Sequence, residues 1–348
     1  MSSEPASPSS IISDEERSTL TIADSVKNYN TNELTKYLQK KDLKLDDDDF
    51  AILRNLKITG RAFLELTEER LERYGFKIGP AITITSFIKE LKEQKMRNFS
   101  SYKTVDELKE ILHKYKVHGE DIINIKQFNP VFEEIDDHDQ AFKRCMHEIT
   151  LRLTNLETVT NVNEATRNVF ITSILNASIA IARRLSHKEK IYISYQKDIS
   201  GDEAYGLVDY AIKGKEDLMC IIEGKSLDVK LGYLQNIVQL ESAYQTNKKK
   251  RIAADHTFRD NDYDYLYGIV TTAVEWHFIM FTTDGLYCTS KKQYQINLTK
   301  MVIEEDFDAF RNSLKRVIGI IVGLLRDRVS VDNSPSSKWA RINEFKEK

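Results

Sequence analysis

Three charged residues stand within or directly after two apolar, strand-like segments. Asp209 lies inside Leu207-Val208-Asp209-Tyr210-Ala211-Ile212, and Glu223 and Lys225 directly follow the apolar run Leu218 to Ile222. Residues two apart on an extended segment point to one face, so Glu223 and Lys225 share theirs. A carboxylate or ammonium buried alone costs several kcal/mol, so such groups pair with each other or hold a metal ion. Spacing leaves both readings open: a structural Lys–Glu pair at a strand end, or a cation site. Three further features gather around the pair. Glu164 stands in the first turn of a preceding helix, Gln235 and Gln239 share a face of the following one, and Lys248-Lys249-Lys250-Arg251 ends it.

The elements that must position these residues are readable. A helix is expected from about Asn163 to Leu185, then strands at Ile191–Tyr195, Gly206–Ile212 and Leu218–Ile222. The last is a continuous apolar run, as expected of a central strand buried on both faces. Helix signals return over Lys230–Tyr244, strands over Tyr265–Thr272 and Trp276–Phe281 with an Asp284-Gly285 turn after them, and a helix over about Phe307–Arg326. The order α-β-β-β-α-β-β-α predicts a mixed α/β domain over 148–330.

Upstream the pattern is of short amphipathic helices from about residue 21 to 97. Leu34, Tyr37 and Leu38 share one face, and Asp46–Asp49 precedes Phe50, Leu53 and Leu56. Carboxylates at a helix start complement its positive end, so this acidic run reads as a helix N-terminus rather than a metal cluster. Thr67-Glu68-Glu69 reads as an N-cap with an acidic first turn, Gly75 as a C-cap, and Gly79-Pro80 as the break before a long helix, about Ala81 to Met96. Five short helices ending in a long one predict a compact all-α domain. Residues 1–20, rich in Ser and Pro, read as a disordered tail, 98–147 as a helical connector, and 331–348 as a C-terminal tail.

Composition narrows the classes. A formal net charge of −3 excludes a uniformly basic nucleic-acid coat but not a local basic groove. Cys145, Cys220 and Cys288 are far apart, without disulfide or zinc spacing, and predict reduced thiols. No signal peptide and no apolar run of membrane-spanning length is read, so an intracellular protein, nuclear or cytoplasmic and without a membrane partner, is expected. Lys248–Arg251 also has the composition of a nuclear localisation signal. His113 and His118 lack ligand spacing, His256 follows Asp255 in a polar loop, and neither a nucleophile elbow nor a GxxxxGK[ST] phosphate loop occurs.

Two resemblances follow. Leu34…Leu38…Leu43…Leu45, Leu53, Ile58-Thr59-Gly60, Phe63-Leu64-Glu65-Leu66-Thr67-Glu68, Leu71, Gly75…Gly79-Pro80 and Ile88…Leu91 resemble a SAM (sterile alpha motif) domain, with Tyr29 where many members carry Trp. That resemblance implies protein association, with a partner or with itself. Glu164 on a helix, Asp209 on a strand, Glu223-Gly224-Lys225 on the next and then a helix with inward Gln resemble the PD-(D/E)XK nucleases, and are similar to domains of fungal proteins including Crinkler-type effectors. Val208 stands where that family's name-giving Pro would be.

The second resemblance implies a restriction-endonuclease-like fold and metal-dependent action on a nucleic-acid partner, DNA ahead of RNA. Asp209 and Glu223 would bind Mg²⁺ or Mn²⁺, with Glu164 as a further carboxylate. Lys225 would orient or deprotonate the attacking water, Gln239 (or Gln235) would hold the phosphate backbone or Lys225, and Lys248–Arg251 would contact phosphates. Because the fold also serves as a binding module, a catalytically inactive adaptor is the alternative expectation.

Overall fold

A computed structural model describes residues 20–156, 163–187, 190–214, 217–224, 228–254, 264–283, 285–331 and 335–346. Most of the expected N-terminal tail lies outside them, as do Lys225, the Asp255-His256 pair and Asp284. The chain divides into two compact units, Met1–Arg97 and Asn98–Lys348.

The first unit is helical: α1 (Ile22–Val26), α2 (Thr31–Lys40), α3 (Asp47–Asn55), α4 (Gly60–Phe63), α5 (Glu68–Arg73) and α6 (Ile78–Glu93). Side chains satisfy the free N–H groups at the helix starts. Asn30 accepts from the amides of Asn32 and Glu33, and Glu33 reaches back to the Asn30 N–H at 2.9 Å. Within the acidic run, Asp46 accepts from the Asp49 N–H at 2.9 Å and Asp49 accepts from that of Asp46 at 3.1 Å. The run is therefore a cap. α6 begins three residues earlier than the Gly-Pro break predicts, because Pro80 falls in its first turn, where no N–H is needed. Val26, Leu34, Leu38, Leu53, Phe63, Leu71, Ile84 and Leu91 form the core of this unit. Gly60 donates to the Tyr29 carbonyl at 2.8 Å, and a Cβ there would meet the Val26 carbonyl oxygen at 1.8 Å.

The second unit is built on a mixed sheet of β2 (Lys126–Gln127), β3 (Tyr192–Ser200), β4 (Ala204–Lys213), β5 (Leu218–Gly224), β6 (Tyr265–Thr271), β7 (Trp276–Thr282) and β8 (Gly285–Cys288). The two-residue β1 (Arg97–Asn98), where the units adjoin in the chain, makes the eighth strand. β3, β4 and β5 form an antiparallel meander, β6 joins β5 in parallel, and β7 and β8 follow antiparallel. Its helices are α7 (Val105–Lys114), α8 (Gln140–Asn155), α9 (Glu164–Ser186), α10 (Val229–Ala254), α11 (Lys300–Glu305), α12 (Phe307–Ser330) and α13 (Pro335–Lys346).

β5 is buried along its whole length, as its sequence predicts. Cys220 and Ile222 pack on one face with α8, α9 and α12, while Ile221 packs on the other with α7 and α10. α9 is long and apolar enough to cross a membrane by length and composition, yet Phe170, Ile171, Ile174, Leu175 and Ile181 are buried in the core. Residues 98–147, expected as a connector, pack into this unit: α7 lies on α10, α8 on α9, and β2 pairs with β8.

The C-terminal segment, expected as a tail, forms α13 and docks through charge. Lys338, 1% exposed, lies 3.0 Å from Asp264, which also pairs with Arg251 at 2.6 Å and Arg328 at 3.1 Å. Arg341 of the same helix pairs with Asp327, which accepts from the hydroxyls of Tyr265 and Tyr267 at 2.8 and 2.7 Å. The apolar pattern gives little sign of this helix, because its anchors are cationic.

Two outcomes follow from this packing. Gly60→Ala forces α4 away from Val26 and lowers the stability of the first unit by about 1–3 kcal/mol, read from urea unfolding by circular dichroism. Burial drives the Lys338 pKa down from 10.5 to about 8, against the pull of Asp264 and with Arg328 and Arg251 adding to the fall. Between those values the unfolded chain binds a proton that the folded one does not, so this group makes stability rise with pH across that window. Urea midpoints of the wild type rise relative to Lys338→Met from about pH 8 to 10; parallel profiles would contradict the assignment.

Candidate functional site

The site is assembled by two helices on opposite faces of the sheet. α9 starts at Asn163, whose Oδ1 accepts from the Thr166 N–H at 2.9 Å, which sets Glu164 in the first turn. Four residues per step along this apolar helix place Glu164, Asn168, Thr172 and Asn176 on one stripe. α10 is bonded to β5 by amide side chains. Asn236 donates to the Ile221 carbonyl at 3.1 Å, and Asn247 accepts from the Leu218 N–H at 2.9 Å and donates to its carbonyl at 2.8 Å. The close approach needs Gly268 on β6, where a Cβ would stand 2.1 Å from Asn236 Oδ1.

Between these helices β4 and β5 part. Their paired residues end at Tyr210 and Ile222. Just beyond, Asp209 Oδ2 accepts the Gly224 N–H at 2.8 Å, so a carboxylate takes the place of the next backbone acceptor. Opposite Asp209, Gln196 of β3 adopts a left-handed backbone, φ 44°, and its Nε2 donates to Asp209 Oδ1 at 3.3 Å. The pleat slips here: Val208 packs towards α10, while Tyr210 packs towards α9. Asp209 consequently faces the α9 side, where it lines a cleft of about 460 Å³ with Arg152, Asn168, Thr172, Asn176 and Tyr195 among others.

Glu223 turns the other way. Its carboxylate, 5% exposed, accepts from Gln239 Nε2 at 2.6 Å, while Gln239 Oε1 is buried without a partner. A charge-assisted bond of this length holds a buried carboxylate in a fixed orientation. Burial lifts the Tyr210 hydroxyl above its usual range, and the negative charges of Asp209 and Glu164 reinforce the rise, which places Glu164 on the Asp209 side.

The sequence-derived set is thus divided. Asp209 and Glu164 belong to the α9 side and Glu223 and Gln239 to the α10 side, with the Gly224 backbone between them. Gln235 is separate, donating to the Tyr102 carbonyl at 3.0 Å. Lys225 lies outside the described residues. Of the basic run, Lys250 is exposed, Lys249 pairs with Asp202 at 2.9 Å, and Arg251 is turned inward to Asp217 and Asp264, its charge met within the fold. Among the described residues no three or more His, Cys, Asp or Glu side chains come together as a metal-ligating group. Asn168 and Gln196 were not singled out from sequence. The four-residue stripe along α9 was the available signal for Asn168, and the left-handed Gln196 offers none.

Removing the amide that orients Glu223 tests this construction. Gln239→Leu leaves the buried carboxylate short of a donor and lowers stability by about 1–3 kcal/mol in urea unfolding; an unchanged midpoint would mean that the bond has no energetic role.

Comparison with known proteins bears on the first unit. No curated protein matches the chain. The family model of the SAM-like domain matches residues 1–90, so the N-terminal helical unit is SAM-like, a module compatible with protein association.

Proposed function

We propose that the second unit hydrolyses nucleic-acid phosphodiesters with a divalent cation, and that the SAM-like unit joins it to a protein partner or to further copies of itself. The observation that carries this reading is the fork between β4 and β5: the Asp209 carboxylate is bonded to the amide directly after Glu223, whose own carboxylate is held by Gln239. The element order also supports it. Glu164 on a helix, Asp209 on a strand, Glu223 at the end of the next and Gln239 on the following helix reproduce the series on which the PD-(D/E)XK resemblance rests.

The donors suit a hard ion. Two carboxylates and the buried, unpartnered Oδ1 of Asn168 are all oxygens; Mg²⁺ is commonly held by one or two carboxylates, with water and phosphate completing its shell. Asp209, with Glu164 directly or through water, would hold Mg²⁺ or Mn²⁺ on the α9 side, and Glu223 would join them by turning away from Gln239. When bound, the ion would supply Lewis acidity to a phosphoryl oxygen and lower the pKa of a water. The chain's own groups do the rest. Gln239 orients Glu223, the Gly224 N–H and Gln196 orient Asp209, and Lys225 orients the attacking water. Lys248, Lys249 and Lys250 contact neighbouring phosphates.

Cleavage of supercoiled plasmid and of single-stranded nucleic acid with Mg²⁺ or Mn²⁺ is the test. Wild type cuts, and Asp209→Asn, Glu223→Gln and Lys225→Ala each lose roughly 100-fold or more in rate. Failure of folded wild type to cut any substrate overturns the hydrolytic reading. The second reading, a binding module that associates without catalysis, would then stand, and the division of Asp209 and Glu223 between two faces is the observation that favours it.

Association has its own test. On α6, Ile78 and Ile82 are one turn apart and 67% and 48% exposed. Replacing both by Lys reduces concentration-dependent self-association in analytical ultracentrifugation; a variant that associates as the wild type does would remove this face from the interaction.

A further inference from the structure

We infer that the cleft between α9 and the β3–β4 pair takes one unstacked nucleobase, so that the strand presented at the fork is single-stranded or locally unpaired. The inference deepens the phosphodiesterase reading and rests on it for its biological meaning.

Size is the first argument. At about 460 Å³ the cleft is at the small end of the range for small-molecule sites, roughly 300–1,000 Å³. It has room for a base but not for a duplex. The lining gives the second. Asn168, Asn176 and Gln196 offer carboxamides, whose paired donor and acceptor match the edges of bases. Tyr195, 50% exposed, offers a ring on which a base can stack without regard to its identity.

The third argument is that these groups are poorly satisfied by one another. Asn176 to the Tyr195 hydroxyl is 3.4 Å, Thr172 to the Tyr210 hydroxyl 3.4 Å, that hydroxyl to the Asn168 carbonyl 3.4 Å, and Gln196 to Asp209 3.3 Å. All four exceed the ordinary length, and Asn168 Oδ1 is buried with no donor at all. A base edge would replace these long contacts by short ones. Charge settles which part of a nucleotide enters. Among the described lining residues, Asp209 and Glu148 stand against Arg152, itself paired with Glu148, which favours a neutral base over a phosphate. Position supplies the link to chemistry, since Asp209 lines the cleft with one oxygen while the other is bonded at Gly224. A base held here would bring its own phosphodiester to the fork.

The experiment measures binding without turnover. A labelled single-stranded DNA, its duplex, and the same strand with abasic positions are titrated with the full chain in EDTA, followed by fluorescence anisotropy. Single strand is expected to bind about tenfold or more tightly than duplex or abasic strand, and Tyr195→Ala to remove about tenfold of that affinity while sparing the duplex. Tyr195 is half exposed, and circular dichroism confirms that the variant folds. Equal binding of strand and duplex, or indifference to Tyr195→Ala, overturns the proposal. Cleavage assays with Mg²⁺ on the same oligonucleotides separate the two readings. Duplex cutting without strand preference keeps the nuclease and removes the base pocket, whereas selective strand binding without cutting keeps the pocket and removes the nuclease.

Discussion

The second unit depends on β5 being buried on both faces while its ends still carry polar groups. An apolar strand enclosed in this way needs a helix layer on each side, which α9 and α10 supply. Enclosure in turn leaves no water for the backbone groups of Leu218 or the carboxylate of Glu223, so protein partners must replace it. α10 provides them: Asn247 serves the start of the strand, Asn236 its middle, and Gln239 its end. One helix face thereby fixes both the register of the central strand and the aim of its terminal carboxylate.

From that constraint the fork follows. Where β4 leaves β5, the next N–H of the strand would be stranded without a partner, and Asp209 fills the gap. The same bond satisfies the backbone and holds one oxygen of Asp209 at Gly224, across the strand from the Glu223 carboxylate. The capping role alone would preserve an aspartate at this position. The surroundings add unsatisfied polarity: the buried, unpartnered side-chain oxygens of Asn168 and Gln239, and the long hydrogen bonds of the neighbouring cleft.

Much of this was legible in the residues. Periodicity and caps gave the helices of the first unit, with Asp46–Asp49 serving the end of a helix, and Leu218–Ile222 announced a two-sided strand. Asp209, Glu223 and Gln239 stood out because each is polar where its neighbours are not. The direction of Asp209 was not legible, since regular alternation puts it with Glu223 and only the left-handed turn of Gln196 sends it to the other side. Arg251 misled through composition: it belongs to a run that reads as a basic surface, while its side chain closes an internal pair with Asp217 and Asp264. α13 was missed because Lys338 and Arg341 are residue types that ordinarily face water.

The charge cluster around Asp264 has a bearing on how the protein is made. Its members come from four separated places in the chain, residues 251, 264, 328 and 338. A polypeptide is synthesised from its N-terminus, so the first unit can fold as soon as it leaves the ribosome. The second cannot close this cluster until Lys338, the most C-terminal of its members, has been synthesised. Between those moments the nascent chain carries a folded SAM-like unit tethered to an unfinished α/β domain.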